Sequence, residues 1–199
     1  MKTERKTDRR TLYTINVIKD AFLKEIKDVG YRKISVKRIC EAAEISRATF
    51  YLHYDDVNAV LDDVIDDALL FSEQGTGTVL DLVDIIQSGR IQDIKENESV
   101  LPACQRIADS DLYHDLFMDV ALSDYIISRI YQHEKSIVVP ELIKKTGISE
   151  EYANLFFRFM LNGSFYVNRS LGWEKNEKWY QFQKMLSVFL DAGMEELTK

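Results

Sequence analysis

The sequence predicts an all-α protein with a small N-terminal helical head and a larger helical body. Apolar residues recur at spacings of three and four along most of the chain, which is the period of a helix buried on one face. No segment shows the strict alternation of a half-buried strand. The 199 residues include only two prolines and eight glycines, so breaks between helices are few, and 46% are hydrophobic, enough for a core.

The first two helices follow from this spacing and from their end signals. The first carries a stripe of apolar residues and is predicted to end near Gly30, since glycine commonly follows a helix. Its stripe consists of Leu12, Ile15, Ile18, Phe22 and Ile26. A short helix is predicted over 35–43, with Ser35 as its N-cap.

The next two helices also begin at typical starting residues. Ser46 is a candidate N-cap for a short helix that runs to about His53. A longer helix follows Asp55 and Asp56, whose carboxylates suit a helix N-terminus. We expect its acidic residues to form a solvent-exposed face opposite an apolar stripe. The acidic residues are Asp62, Asp63, Asp66 and Asp67, and the stripe is Val57, Val60, Leu61, Val64, Ile65 and Ala68.

The body is predicted to contain five further helices and a short turn. The GTG at 75–77 breaks the pattern, and helices are expected over 78–88 and about 98–109. A single long helix is expected over about 111–134, followed by a short turn that starts at Pro140. The last pair is expected over 149–171 and 176–197.

Charge divides the chain into the same two regions. Residues 1–54 carry 13 Lys and Arg against 7 Asp and Glu, and the remainder carries 13 against 26, so a basic head precedes an acidic body. Such asymmetry favours a nucleic-acid-binding module joined to another domain, although two solvated faces of opposite charge would give the same count.

The two short helices that meet at residues 43–46 have the length and spacing of a helix-turn-helix. Phe50 and Tyr54, four residues apart, are expected to anchor the second helix inward. Its outer N-terminal part would then be free to enter a DNA groove, where Arg47 could read guanine and the Ala48 methyl could contact thymine. Lys33, Lys37 and Arg38 add positive charge beside it. An ordinary helical hairpin is the alternative.

Residues 30–61, GYRKISVKRICEAAEISRATFYLHYDDVNAVL, resemble the TetR/AcrR family of bacterial transcription regulators, and the likeness extends from residue 8 to about 65. The TFYxHY signature is closest to regulators near dihydroxyacetone kinase genes. The resemblance implies a three-helix DNA-binding domain over 8–55 and a C-terminal domain over 56–199 that binds a small effector and dimerises.

The resemblance and the charge pattern together give a set of expected DNA contacts. They are Ser35, Lys37, Arg38, Ser46, Arg47, Ala48, Thr49, Tyr51 and His53. Two positions depart from the family pattern. Glu44 stands where the turn usually has glycine, which is strained if φ is positive there. Val57 replaces a lysine that often contacts phosphate at the start of the fourth helix.

The last two helices predict a homodimer. Residues 152–167 are apolar nearly all round, and the final helix has a wide apolar face, which together exceed what one small core can bury. The expected interface residues are Phe156, Met160, Ser164, Met185 and Phe189. A buried helix pair inside a monomer is the alternative. A dimer would match a pseudo-palindromic operator in double-stranded DNA.

Effector binding and catalysis leave weaker signals. Possible lining of an effector pocket comes from Cys104, Tyr113, His114, Phe117 and Met118, although each type is more often plain core or surface. The sequence has no HxxxH, GxSxG, P-loop or GxGxxG motif, so we expect neither an enzyme nor a cofactor or metal site. Two distant cysteines and no long apolar run favour a reducing, cytoplasmic location without a membrane partner. The rival function is a helical adaptor without DNA binding.

Overall fold

A computed structural model describes residues 9–72, 84–85, 88, 101–108 and 110–197. The chain divides into two compact units, Met1–Asp67 and Ala68–Lys199. This division lies inside a helix, downstream of the predicted head boundary at residue 55, which stays a prediction. The helix labels below count the helices of the described residues, in chain order.

The first unit is built from the predicted helices. It contains α1 (Arg9–Val29), a 3-10 turn (Tyr31–Lys33), α2 (Val36–Ala42) and α3 (Arg47–Tyr51), followed by α4 (Val57–Ser72), which continues past the division. Gly30 ends α1 with φ 75°, a left-handed backbone that glycine adopts without strain.

Side-chain caps explain where the short helices begin. The hydroxyl of Ser35 accepts from the backbone N–H of Arg38 at 3.3 Å, and that of Ser46 accepts from Thr49 at 3.0 Å. The carboxylate of Asp56 accepts from Ala59 at 2.9 Å. Each bond pairs one of the backbone N–H groups that a helix start leaves without a partner, so the predicted starts are confirmed.

The core of the first unit consists mainly of the predicted apolar stripes, but Leu12 is 49% exposed, so the stripe of α1 begins further along the helix than predicted. Phe22 and Phe50 are completely buried, and the rings of Phe22 and Tyr31 meet edge to face at 6.4 Å. The other buried core members are Ile18, Ala21, Ile26, Ile39, Cys40, Ala43, Tyr54, Val60, Leu61, Val64 and Ile65. Non-directional burial of this kind supplies most of the stability of so small a helical unit.

The second unit contains five helices within the described residues. The prediction of a single long helix over 111–134 is wrong, because two helices and a 3-10 turn occupy this range. The helices are α5 (Ala103–Ala108), α6 (His114–Met118), α7 (Ser123–Thr146), α8 (Glu150–Ser170) and α9 (Glu177–Leu197), with a 3-10 turn at Val120–Leu122. Asp119 separates α6 from that turn because its backbone is extended, with ψ 112°, and its side chain caps the N–H of Ala121 at 2.8 Å.

The prediction that Pro140 starts a short turn is also wrong. It lies inside α7, which continues to Thr146 and ends at Gly147 with φ 71°. The neighbouring Val138, Val139 and Leu142 are all buried. Their burial outweighs the one backbone hydrogen bond that a proline removes from a helix.

The predicted helix over 78–88 and the break at 75–77 fall largely on residues outside the described ranges, whereas the predicted helix over 98–109 is present in part as α5 (Ala103–Ala108). The predicted last pair is confirmed as α8 and α9, and Ser149 caps the start of α8. The indole N–H of Trp179 donates to the Asn168 side chain at 2.7 Å, which fixes α9 against α8 inside the second unit. Within the described ranges, no helix combines the length and apolar character needed to cross a bilayer.

Candidate nucleic-acid interface

The turn between α2 and α3 sets the geometry of the site. Glu44 has φ 54°, the left-handed conformation that glycine would adopt without strain. The N–H of the next residue, Ile45, donates to the carbonyl of Cys40 at 3.0 Å and closes the turn. The sequence departure at Glu44 therefore falls on a strained residue, held by the two capped helices on either side.

Two aromatic rings hold α3 in the first unit, as predicted. Phe50 is 0% exposed and Tyr54 is 7% exposed, and their ring centroids lie 6.0 Å apart. Phe50 is the one buried residue of the five in α3. The rest of the helix therefore remains on the surface.

The outward part of α3 carries cationic, hydroxyl and methyl groups and no carboxylate. Ser46, Arg47 and Ala48 are exposed, and Tyr51 is 56% exposed. Thr49 is half-buried, and its hydroxyl lies 2.9 Å from that of Ser46. These are the residue types that contact phosphates and base edges, gathered at the N-terminal end of a helix.

The remaining residues predicted to contact DNA differ in their solvent exposure and in their ion pairs. His53 is half-buried beside α3, whereas Ser35 and Lys37 are exposed on α2. Lys37 forms a loose ion pair with Glu41 at 3.6 Å, which solvent screens.

Arg38 has a second role that sequence reasoning missed. Its Nε donates to the carboxylate of Glu25 at 2.5 Å, and Glu25 is a buried residue of α1. The ion pair ties α2 to α1, while the guanidinium retains further N–H groups for a phosphate. A signal was present in the sequence, since Glu25 lies next to Ile26 of the apolar stripe and a carboxylate near a core needs a partner.

The residues predicted to line an effector pocket lie mainly in the core of the second unit. Cys104, Tyr113 and Phe117 are buried, the Nε2 atom of His114 lies 3.1 Å from the carbonyl oxygen of Gly172, and Met118 is partly exposed. The Phe117 ring packs 5.8 Å from Phe165 and 5.6 Å from Trp173. Burial raises the pKa of the Cys104 thiol to about 12, which keeps it neutral. None of the five residues lines either cavity described below.

The larger cavity lies among the residues predicted to form the dimer interface. It is an apolar groove of about 830 Å³ between the end of α7, α8 and α9, and its lining includes Phe156, Met160, Met185 and Phe189. Met160 is buried and Ser164 is half-buried, whereas Met185 and Phe189 are 71% and 68% exposed. Sequence reasoning predicted these apolar faces but not the groove. A smaller cavity of about 190 Å³ lies between α7 and α8.

Comparison with known proteins identifies the helices around α3. Residues 18–64 match the family model described as bacterial regulatory proteins of the tetR family. These residues form a TetR-family DNA-binding domain. The predicted helix-turn-helix is thereby confirmed, and α3 is its recognition helix.

Two further similarities concern single proteins. The chain is 36% identical over 63 residues to the HTH-type transcriptional regulator YxbF of Bacillus subtilis, a stretch that covers 32% of this chain and 16% of that relative. The solved structure of the fatty acid degradation regulator FadR from Bacillus halodurans aligns with a TM-score of 0.53 at 16% identity, over 87% of this chain and 94% of that one. This second likeness confirms the all-helical fold.

Proposed function

We propose that the protein is a homodimeric, ligand-responsive transcriptional repressor that binds a pseudo-palindromic operator in double-stranded DNA. The observation that carries the proposal is the outward part of α3, a recognition helix that presents Arg47 and small polar groups and no acid. The relatives YxbF and FadR are both named as regulators, which supports a regulatory rather than an enzymatic role. The TFYxHY signature supports a place beside regulators of dihydroxyacetone kinase genes, and a DNA-binding regulator works in the cytoplasm.

Base reading is assigned to the first turn of α3. Arg47 is exposed and would bind guanine through two parallel N–H groups, and Ala48 would contact a thymine methyl. Phosphate contacts, which position the protein without reading sequence, are assigned to exposed or half-buried residues that carry N–H or hydroxyl groups. These are Ser35, Lys37, Arg38, Ser46, Thr49, Tyr51 and His53.

Dimerisation is assigned to the outward faces of α8 and α9. Large apolar side chains are exposed along both helices, and clustered exposed apolar surface is typical of an interaction site. They are Tyr152, Leu155, Phe156, Phe159, Tyr166, Met185, Val188, Phe189 and Leu197. A two-fold dimer would bury them and present two recognition helices to successive major grooves, about 34–36 Å apart or a multiple of that.

The effector would be a small, partly apolar molecule bound in the second unit near Cys104, Tyr113, His114, Phe117 and Met118. Most of these side chains are packed in the core, so binding would select a conformation in which some of them have moved. A ligand that prefers one conformation changes DNA affinity by its differential affinity for the two.

Selection from a random pool of DNA duplexes tests the central proposal. We expect the wild-type protein to enrich a pseudo-palindrome, and the Arg47→Glu variant, which reverses a charge on the same exposed surface, to enrich nothing. Enrichment of no sequence by the wild type would instead favour the helical adaptor. Titration of the wild type with unrelated duplex at several salt concentrations is the control, since attraction to phosphate alone is independent of sequence and weakens with salt.

A further inference from the structure

Four charged or polar side chains connect α1, α4 and the residue Tyr54, just past the recognition helix, within the first unit. The hydroxyl of Tyr54, which follows α3, donates to the carboxylate of Asp63 on α4 at 2.5 Å. The same carboxylate pairs with Lys19 of α1 at 3.0 Å, and Lys19 also binds Asp67, one turn further along α4, at 2.7 Å. Asp63 and Asp67 are predicted on a solvent-exposed face; their side chains are 39% and 43% exposed, and the ion pairs with Lys19 give that face a second role.

The surroundings of Tyr54 and Lys19 keep both groups protonated. Burial raises the pKa of the Tyr54 phenol, and the hydrogen bond and negative charge of Asp63 raise it further, so Tyr54 stays a donor. Burial alone would lower the pKa of Lys19, but its bonds to Asp67 and Asp63 outweigh that effect and raise it. The network therefore holds one neutral donor and one cation on a single carboxylate.

Apart from the turn closed by the Ile45–Cys40 hydrogen bond, the recognition helix has few described contacts that could fix its orientation. It buries one side chain, Phe50, and its first turn is capped by Ser46, itself an exposed residue. Apolar packing of Phe50 and Tyr54 is non-directional and permits a helix of five residues to roll or tilt. A hydrogen bond has a preferred angle and distance, so the Tyr54–Asp63 bond restricts that motion.

We propose that Asp63 is a positioning residue for sequence-specific DNA binding. It holds Tyr54, and through Tyr54 the orientation of α3, while Lys19 holds Asp63 in place. Base reading needs side chains placed within hydrogen-bond distance of particular base edges, whereas phosphate attraction tolerates small displacements. The inference rests on the proposed function, because it concerns the preference of the protein for its operator.

The test compares specific and non-specific affinity in near-isosteric variants. Tyr54→Phe removes the donor and keeps the ring and the charge. Asp63→Asn keeps the shape and removes the negative charge that holds Lys19. Affinities are measured for the duplex selected by the wild type and for a scrambled duplex of the same length, at a temperature well below the melting midpoint of every variant. We expect the ratio of specific to scrambled affinity to fall about tenfold in each variant, the loss expected of one hydrogen bond to a charged group.

Two further variants serve as controls, one for the change in net charge and one for the coupling between Tyr54 and Asp63. Asp66→Asn changes the net charge equally from an exposed position on the same helix, and we expect it to leave the ratio unchanged. The double variant Tyr54→Phe/Asp63→Asn should lose little more than the worse single variant, since both changes act on the same bond: Tyr54→Phe removes its donor, and Asp63→Asn leaves only a neutral acceptor.

Three results separate the possible failures. If the variants melt earlier but keep the wild-type ratio, the network is merely structural and the inference is wrong. If Asp63→Asn and Asp66→Asn both strengthen binding to both duplexes, Asp63 acts by charge alone, which also overturns it. If the wild type itself does not prefer its selected duplex over the scrambled one, the proposed function fails first and the inference falls with it.

Discussion

The outward faces of α3 and α9 differ in chemistry although both helices expose most of their surface. α3 buries Phe50 and presents Arg47, Ala48 and Tyr51, groups that form hydrogen bonds or small apolar contacts. α9 has 21 residues and buries three of them, yet its outward face carries Met185, Val188 and Phe189.

This difference indicates two different kinds of partner. A hydrated polar face with a cation matches the phosphates and base edges of DNA, since those contacts replace hydrogen bonds to water. An apolar face gains free energy when it leaves water, which favours another apolar protein surface. The predictions below test each face, beginning with the largest expected effect.

Charges on the apolar face of α9 should separate the proposed dimer. We expect Met185→Glu combined with Phe189→Glu to give monomers by light scattering and to weaken operator binding more than about a hundredfold, because the second half-site no longer binds intramolecularly. Both residues are highly exposed, so the fold of each protomer should survive.

Val120→Glu is the matched control for that prediction. Val120 is 72% exposed in the same unit but belongs to the 3-10 turn rather than to α8 or α9. It should leave the dimer intact. If the α9 variant stays dimeric, the interface lies elsewhere and the apolar face of α9 serves another purpose.

Removal of the Arg47 side chain should have the next largest effect. We expect Arg47→Ala to cost about 1–3 kcal/mol in operator affinity and to relax the preference at one base position of each half-site, as measured by repeating the selection. Arg47→Lys keeps the charge but loses the bidentate geometry, so it should relax the same position with less loss of non-specific affinity. A uniform loss over all sequences would reassign Arg47 to a phosphate.

The hydroxyl of Tyr51 should contribute to affinity without contributing to sequence preference. Tyr51→Phe removes one hydrogen bond to phosphate, so we expect a loss of about threefold to tenfold on every duplex and an unchanged consensus. Tyr13→Phe makes the same chemical change at an exposed residue of α1 and should alter nothing. An altered consensus in Tyr51→Phe would show that the hydroxyl reads a base.

The smallest effect concerns backbone strain at the turn rather than the faces themselves. Glu44 has φ 54°, so Glu44→Gly should be more stable than Glu44→Ala by about 1 kcal/mol in urea unfolding. The alanine variant is the control because both changes remove the same charge. Equal stability of the two variants would mean that the turn relaxes to negative φ when the side chain is removed.

Much of the first unit follows from local sequence signals. Ser35 and Ser46 cap helices because a short hydroxyl reaches the N–H three residues on, an interaction that needs no distant partner. Phe50 and Tyr54 point inward because they lie four residues apart, about one helical turn, and the N–H of Tyr54 donates to the carbonyl of Phe50 at 3.0 Å just past the end of α3. The same local reasoning assigned Arg38 to DNA alone, since the position of Glu25 beside the apolar stripe indicates that Glu25 needs a partner but not that Arg38, 13 residues later, is that partner.

The second unit was less predictable from local pattern. The separation of α6 from α7 depends on one Asx cap at Asp119, which competes with a continuous helix by a small free energy. The path of α7 through Pro140 depends on the burial of its neighbours, which only packing against other helices supplies. The placement of Cys104, Tyr113 and Phe117 in a core likewise depends on which helices meet there.

The sequence by itself therefore determined the helix type, the starts of the short helices, the recognition-helix surface and the apolar character of the last pair. These properties depend on residues within one or two turns, whose spacing and capping are visible in the chain. Tertiary structure alone decided that Lys19 joins Asp63 and Asp67, that Tyr54 donates to Asp63, and that a groove opens between α7, α8 and α9. Each of those contacts joins residues that only the folded chain brings together, and helical periodicity carries no information about which faces meet.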